Sequence, residues 1–109
     1  MPDSDTGIQI KKHEAEICFA LADPTRINIV HALEKHPHNV NELTLALGIP
    51  QPRASRHLKI LRERGLVHST RRGVCVTYTL SDPRLIEALA LLNEISNRSI
   101  PLQTLPLEA

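Results

Sequence analysis

Positive charge is concentrated in one segment of this chain, between Arg53 and Arg72. The whole chain has 13 Lys and Arg residues against 12 Asp and Glu residues, for a net charge of +1. The segment alone contains seven cations and a single carboxylate, Glu63. The cations are Arg53, Arg56, Lys59, Arg62, Arg64, Arg71 and Arg72. Clustered Lys and Arg side chains attract phosphate, so the segment indicates a nucleic-acid-binding surface rather than an ordinary solvated basic helix.

The composition favours double-stranded DNA as the partner and argues against catalysis. Aromatic residues make up 2% of the chain, namely Phe19 and Tyr78, so unpaired bases would find few rings on which to stack. The sequence contains no Gly-rich phosphate loop, nucleophile elbow, metal-hydrolase pattern or paired-carboxylate signature. We therefore predict that the protein is not an enzyme and uses no cofactor.

Length and hydrophobicity bound the organisation of the chain. With 109 residues and 41% hydrophobic content, we expect a single domain over residues 1–109, with a loose leader at 1–7 and an irregular tail at 100–109. The first sixteen residues lack the apolar core of a signal peptide, and no segment approaches the roughly 18 apolar residues that span a bilayer. We expect a cytoplasmic protein without a membrane partner, whose two cysteines are free thiols.

Five helices and one hairpin are predicted to position the basic segment, which makes the fold mainly α with a small β-hairpin (α+β). Asp23 and Pro24 indicate a helix start, Asn41 is expected to cap the third helix, and Gly48 and Gly65 indicate helix ends. The predicted helices cover residues 9–22, 24–35, 42–47, 51–64 and 83–98, and the predicted strands cover 66–70 and 74–80.

The fourth predicted helix has one apolar side and one cationic side. Ala54, Leu58 and Leu61 recur at positions i, i+4 and i+7 and are expected to face the core, which places Arg56 and Lys59 outside. A short third helix, a tight turn and this basic helix form a helix-turn-helix, and the hairpin that follows makes it a winged one.

This arrangement assigns roles in DNA binding. A helix fits the major groove, where side chains near its N-terminus meet base edges, and a basic hairpin tip reaches phosphates or the minor groove. We call the N-terminal part of the fourth helix, whose side chains are expected to contact the bases, the reading end. Its candidate residues are Gln51, Arg53, Ser55 and Arg56. The candidates for backbone contacts are Lys59, Arg62, Arg71 and Arg72, of which the last two are expected at the hairpin tip.

The last predicted helix is apolar almost all round. A domain this small cannot cover such a helix by itself, so we predict that it packs against its copy in a homodimer. Two-fold symmetry in the protein predicts inverted repeats in the DNA operator.

Four runs of sequence resemble the ArsR/SmtB family of dimeric winged-helix repressors. They are LADPTRINIV at 21–30, VNEL at 40–43, SRHLKILRERGLV at 55–67 and RRGVCVTYTL at 71–80, and the resemblance covers about residues 15–97. It implies a homodimer paired through the first and last helices, repression by operator binding, and release by an inducer. Pro52 departs from the family pattern, where a small polar residue is usual, but Pro is tolerated in the first helical turn.

The known sensing sites of this family do not match the sequence. The thiolate sensors have cysteines in the third helix, where this chain has Glu42-Leu43-Thr44-Leu45-Ala46. The zinc and cobalt sensors need a histidine where Arg84 follows the matched Asp82, and the reactive-sulfur sensors need cysteines where His31 and Asn97 align. The six histidines also lack ligand-like spacing, so no metal site is predicted and the inducer is left unidentified.

Cys18 and Cys75 are the remaining candidates for a thiol sensor. Cys18 lies in an apolar segment and is expected to be a buried small hydrophobe. Cys75 is expected to face away from a core-facing set formed by Val74, Val76, Tyr78 and Leu80, which makes it the more exposed thiol.

An alternative to an operator-binding regulator is a winged-helix module that binds proteins and recognises no operator.

Overall fold

The computed structural model describes the backbone of residues 2–99 and the side chains of residues 11–97. This part of the chain forms five helices and a small three-stranded sheet, which confirms the mainly α winged helix-turn-helix. The elements are α1 (Pro2–Leu21), α2 (Pro24–Lys35), β1 (His38–Asn39), α3 (Val40–Leu47), α4 (Gln51–Glu63), β2 (Val67–Arg72), β3 (Cys75–Leu80) and α5 (Arg84–Ser99). The tail predicted to be irregular, 100–109, lies outside the described residues.

The first helix begins earlier in the chain than the sequence pattern suggested. It starts at Pro2 rather than near Gln9, so the stretch expected to be a loose leader is helical from Pro2 onward. Proline is well suited to the first position of a helix because its missing N–H would have no intrahelical partner there. The polar composition of this stretch was therefore a poor guide to its backbone.

The starts of α2 and α3 are fixed by side-chain caps. Asp23 Oδ1 accepts hydrogen bonds from the backbone N–H groups of Thr25 at 2.8 Å and Arg26 at 3.2 Å, and α2 has the predicted bounds. The predicted cap of α3 was wrong, because Asn39 takes that role instead of Asn41. Asn39 Oδ1 accepts from the Glu42 N–H, and Glu42 Oε1 accepts from the Asn39 N–H, each at 2.8 Å. The three-residue spacing needed for this reciprocal capping box exists only from Asn39.

The sheet has the order β1-β3-β2 and is antiparallel throughout. Strand β1 was not predicted, and its two residues pair with Tyr78 and Thr77 of β3. The β2–β3 ladder continues to the pair Arg72–Cys75. The tip of the wing is therefore Gly73-Val74, and Arg71 and Arg72 lie in strand β2 rather than at the tip as predicted.

Val74 is the clearest error in the predicted core. It is 98% exposed, because the strand that was expected to include it begins one residue later, at Cys75. Gly73 adopts a left-handed φ of 62°, which a glycine accommodates without strain, and this turns the chain before Val74. Tyr78 and Leu80 pack against the core as expected.

The core joins the helix-turn-helix to α2 and the root of the wing. The apolar side of α4 is as predicted, since Ala54, Leu58 and Leu61 are all fully buried. Leu58 and Leu61 pack with other buried side chains of α1, α2, α3 and β2, namely Ala20, Ile29, Val30, Leu33, Leu43 and Val67. Full burial of a Leu or Ile side chain stabilises a fold by about 1.5–3 kcal/mol, so this cluster holds α4 in place. None of the helices in the described region is long and apolar enough to cross a membrane.

Candidate nucleic-acid interface

The helix α4 begins after a tight turn that follows α3. Gly48 has a left-handed φ of 66° and ends α3, and Pro50 then precedes the first residue of α4. The Pro50 carbonyl accepts from the N–H groups of Arg53 and Ala54, each at 3.1 Å. The N-terminal end of α4 is thus held by backbone contacts, while its side chains remain available.

All four residues predicted for the reading end have exposed side chains. They are Gln51, Arg53, Ser55 and Arg56, and all belong to the first half of α4. Arg53 is within 3.4 Å of the Thr25 hydroxyl through Nη2, a long contact on the surface. Because Ala54 and Leu58 face the core, Ser55 and Arg56 between them point outward, where a DNA groove has access to them.

The residues predicted for backbone contacts are also exposed, but they lie on two elements. Lys59 and Arg62 continue along α4, whereas Arg71 and Arg72 lie in β2. Arg71 Nε donates to the Gly73 carbonyl at 3.2 Å and so supports the turn of the wing. We refer to the exposed cations of both elements as the cationic surface: Arg53, Arg56, Lys59, Arg62, Arg71 and Arg72.

Arg64 belongs to the basic segment in sequence but not to this surface. It is partly buried, and its Nη2 lies 3.9 Å from Glu16 Oε2 of α1. An attraction at this distance between partly exposed groups is weak, but it directs the guanidinium towards α1 rather than outward. Arg64 therefore forms a contact between the end of α4 and α1.

Sequence reasoning missed a second buried arginine, Arg26 of α2, which is 6% exposed. Its Nη1 lies 3.1 Å from Nδ1 of His57, a partly buried residue on the inner side of α4 that follows the candidate DNA contact Arg56. Partial burial of His57 lowers its pKa; Asp23 opposes this, and the positive charges of Arg26, Arg53 and Arg56 add to it. The Asp23-Pro24 helix start and the run at 21–30 drew attention to this part of the sequence, but neither indicated that Arg26 is buried.

The position that matched a metal ligand in the sequence is already paired. Arg84 Nη2 donates to Asp82 Oδ2 at 2.7 Å, and the Arg84 N–H donates to Asp82 Oδ1 at 2.8 Å. The Arg84 side-chain hydrogen bonds and then its backbone hydrogen bond lower the pKa of Asp82 to about 2. Among the described residues there is also no group of three or more His, Cys, Asp or Glu side chains placed to hold a metal ion.

Both cysteines are free and exposed. The expectation that Cys18 is buried was wrong, because α1 turns Ala20 inward and leaves Cys18 and Phe19 on its outer side. Cys75 is exposed as expected and pairs with Arg72 in the β2–β3 register. Side chains that pair directly across two strands lie on the same face of the sheet, so the Cys75 thiol is on the side of Arg72.

Exposed apolar side chains occur on α5 and at the end of α1. Leu91 is 55% exposed, Leu92 is 63% exposed and Ile95 is 51% exposed, and all three fall within about one turn of α5. Phe19 of α1 is 60% exposed. The opposite side of α5 packs on the core through Leu85, Ile86 and Leu89. We refer to Phe19, Leu91, Leu92 and Ile95 as the apolar surface.

Comparison with known proteins places this architecture in one family. Residues 23–69 match the model of the bacterial regulatory protein, arsR family. The HTH-type transcriptional repressor SmtB of Mycobacterium tuberculosis is 47% identical over 70 residues, which are 64% of this chain and 52% of that protein. This match therefore spans about half the length of that curated relative.

Two further proteins extend the similarity over more of the chain. The HTH-type transcriptional regulator CmtR of Mycobacterium tuberculosis is 41% identical over 81 residues, or 74% of this chain and 69% of that protein. The crystal structure of Rv0081 from M. tuberculosis superposes with a TM-score of 0.76 and 29% identity, covering 88% of this chain and 97% of the other. The fold thus recurs over most of its length in a solved relative.

Proposed function

The chain belongs to the ArsR family of bacterial regulatory proteins, and from this premise we propose that it is a dimeric, sequence-specific DNA-binding repressor that acts in the cytoplasm. One observation carries the proposal: α4 buries Ala54, Leu58 and Leu61 and exposes Arg53, Arg56 and Lys59 on its other side. A helix fixed in this way can enter the major groove without any rearrangement of the core.

The cationic surface divides into two functions. We assign base reading to Gln51, Arg53, Ser55 and Arg56, because side chains near the N-terminus of such a helix reach base edges. We assign phosphate contacts to Lys59, Arg62, Arg71 and Arg72, which extend along α4 and into the wing. The second group supplies affinity that depends little on sequence.

The apolar surface supports a homodimer that pairs α1 and α5 with their copies. Apolar residues that are exposed in one copy and clustered on one helix often mark a surface for association with another protein chain. Two copies related by a two-fold axis would present two α4 helices to successive major grooves, which requires an operator with inverted repeats.

Fluorescence anisotropy of labelled genomic fragments tests the central claim. We expect one fragment with an inverted repeat to bind much more tightly than fragments of the same length with a scrambled repeat. If a dimer neutralises about 8 phosphates, log K should fall with log salt with a slope near −7. Equal and weak binding to all fragments at moderate salt would refute operator binding and favour a protein-interaction module.

Release by a thiol-reactive inducer is a further part of the proposal. It is supported by the exposure of Cys18 and Cys75, of which Cys18 adjoins Phe19 of the apolar surface and Cys75 pairs with Arg72 of the wing. A reporter gene under the identified operator tests it in cells exposed to oxidants, sulfur species or soft metals. An unchanged response in the Cys18→Ser, Cys75→Ser double variant would exclude the two thiols as the sensor.

A further inference from the structure

The side chain of Arg26 is a buried guanidinium that contacts two other helices. It belongs to α2, is 6% exposed, and directs its nitrogens towards the end of α1 on one side and towards α4 on the other. A buried charge is costly unless its hydrogen bonds are satisfied. Its partners therefore show what the residue holds together.

On the α1 side, Arg26 completes the C-terminus of the helix. Nε donates to the Ala20 carbonyl at 2.6 Å, and Nη2 donates to the Phe19 carbonyl at 3.2 Å. The last carbonyls of a helix lack intrahelical partners and carry partial negative charge, so a cation there is stabilising. The guanidinium carbon also lies 5.5 Å from the centre of the Phe19 ring, which is within reach of a cation–π attraction.

On the α4 side, the contact dictates the protonation of His57. Arg26 Nη1 lies 3.1 Å from His57 Nδ1. A guanidinium has only donors, so Nδ1 must accept, and neutral His57 then carries its hydrogen on Nε2. Protonation of His57 would place a second N–H opposite the Arg26 N–H and replace a hydrogen bond by a repulsion between cations.

The charges that face His57 come from α2, together with its N-cap, and from α4. Burial lowers the pKa of His57 from its ordinary value of 6.5, while the Asp23 carboxylate at the start of α2 raises it. Arg26 of α2, and Arg53 and Arg56 of α4 itself, lower it further. The ring is therefore neutral at neutral pH, in the state that the Arg26 contact requires.

We propose that Arg26 is a positioning residue that ties α4 to the end of α1 through neutral His57, and that protonation of His57 releases this tie and weakens DNA binding. The inference rests on the proposed operator-binding function and adds a control of the same interface. It also connects the two exposed surfaces, since the α1 end of the tie includes Phe19 and the α4 end, His57, directly follows Arg56.

Nuclear magnetic resonance of the histidine ring nitrogens tests the contact without DNA. In the full-length protein at pH 8, we expect His57 to be neutral, with its hydrogen on Nε2. In Arg26→Lys, which keeps the positive charge but lacks the forked donor geometry, we expect this tautomer preference to weaken. A His57 ring with its hydrogen on Nδ1, or one that is charged at pH 8, would overturn the proposal.

The pH dependence of DNA affinity tests the consequence. Added positive charge normally strengthens DNA binding, so most histidines should raise affinity on acidification. For the wild-type protein we expect DNA affinity to decrease below pH 6.5, because protonation of His57 releases the tie. His57→Asn keeps an acceptor near the Nδ1 position but cannot titrate, so it should bind as the wild type does at pH 8 and lose the decrease at lower pH. His13→Gln, an exposed histidine of α1, is the control and should retain it.

Arg26→Lys should bind the same fragment roughly tenfold more weakly at pH 8, the change expected for one lost charge-assisted hydrogen bond. It should also show a flatter pH profile than the wild type. If His57→Asn retains the full decrease on acidification, the proposal is wrong. If the wild type binds no fragment under any salt condition, the operator-binding function fails, and the ring-nitrogen experiment still decides whether Arg26 and His57 form the tie.

Discussion

The cationic surface and the apolar surface are both exposed, but they differ in what a single chain provides. The exposed arginines and lysine of α4 stand on a buried stripe of Ala54, Leu58 and Leu61, so that surface is complete in one copy. On α5 the inner side packs on the core, yet Leu91 and Leu92 of the outer side are 55% and 63% exposed.

The difference follows from the free energy of contact with water. Charged side chains are well solvated, and an exposed arginine needs no protein partner until a phosphate arrives. Each Å² of apolar surface left in water is unfavourable by roughly 25 cal/mol, so clustered apolar side chains are more stable when another surface covers them. The cationic surface is therefore stable in water until it meets a phosphate, whereas the apolar surface is the one we propose to be covered by a second copy of the chain.

The largest expected effect comes from breaking the apolar surface. Leu91→Glu combined with Leu92→Glu places two charges where two helices are proposed to pack, so we expect a monomer by sedimentation equilibrium. Two linked half-site contacts bind about 10²–10⁴-fold better than one, so operator affinity should fall by about 100-fold or more.

Leu45→Glu provides a matched control for oligomeric state. Leu45 is 85% exposed and lies on α3, outside the apolar surface, so its substitution should leave the dimer intact. A double α5 variant that still sediments as a dimer would show that the two copies pair elsewhere.

A smaller effect is expected on the cationic surface, where two arginines should lose different properties. Arg56→Ala on α4 should lower operator affinity by about 1–3 kcal/mol and erode the preference for the operator over a scrambled fragment. Arg72→Ala on the wing should weaken both fragments alike and reduce the salt slope by about 1. Both variants should remain dimers, which separates this surface from the other. Equal losses of sequence preference in the two variants would contradict the assignment of base reading to α4.

Local sequence patterns predicted the parts of this comparison that depend on neighbouring residues. The Asp23-Pro24 pair determined the start of α2, and the spacing of Ala54, Leu58 and Leu61 determined which side of α4 is buried. The apolar residues all round α5 likewise indicated that one copy of the chain cannot bury every side of this helix. In each case the signal and its cause lie within one or two helical turns.

The features that were missed depend on contacts between distant segments. Strand β1 consists of two residues that form a strand only because β3 pairs with them. Arg26 reads as one more surface cation in the sequence, and it is buried because Ala20 and His57 supply acceptors from two other helices. Val74 alternates correctly with Val76, but the position of the turn, not the alternation, decides its exposure.

The smallest expected effect concerns the start of α5, the helix that carries the apolar surface. Arg84 lowers the pKa of Asp82 from its ordinary value of 3.8 to about 2, so the ionised carboxylate is favoured in the folded protein. Its contribution to stability is therefore present above pH 3.8 and is lost as the pH falls through about 2. Urea unfolding of the wild type and Asp82→Asn should show a small, constant difference from pH 7 to about 5, which shrinks towards zero near pH 2. Arg84→Gln should show the same pH dependence with a smaller difference, because it removes the ion pair but keeps the hydrogen bond from the backbone N–H of residue 84 to Asp82. A difference that persists unchanged at pH 2 would mean that Asp82 acts through the shape of the turn before α5 rather than through its charge.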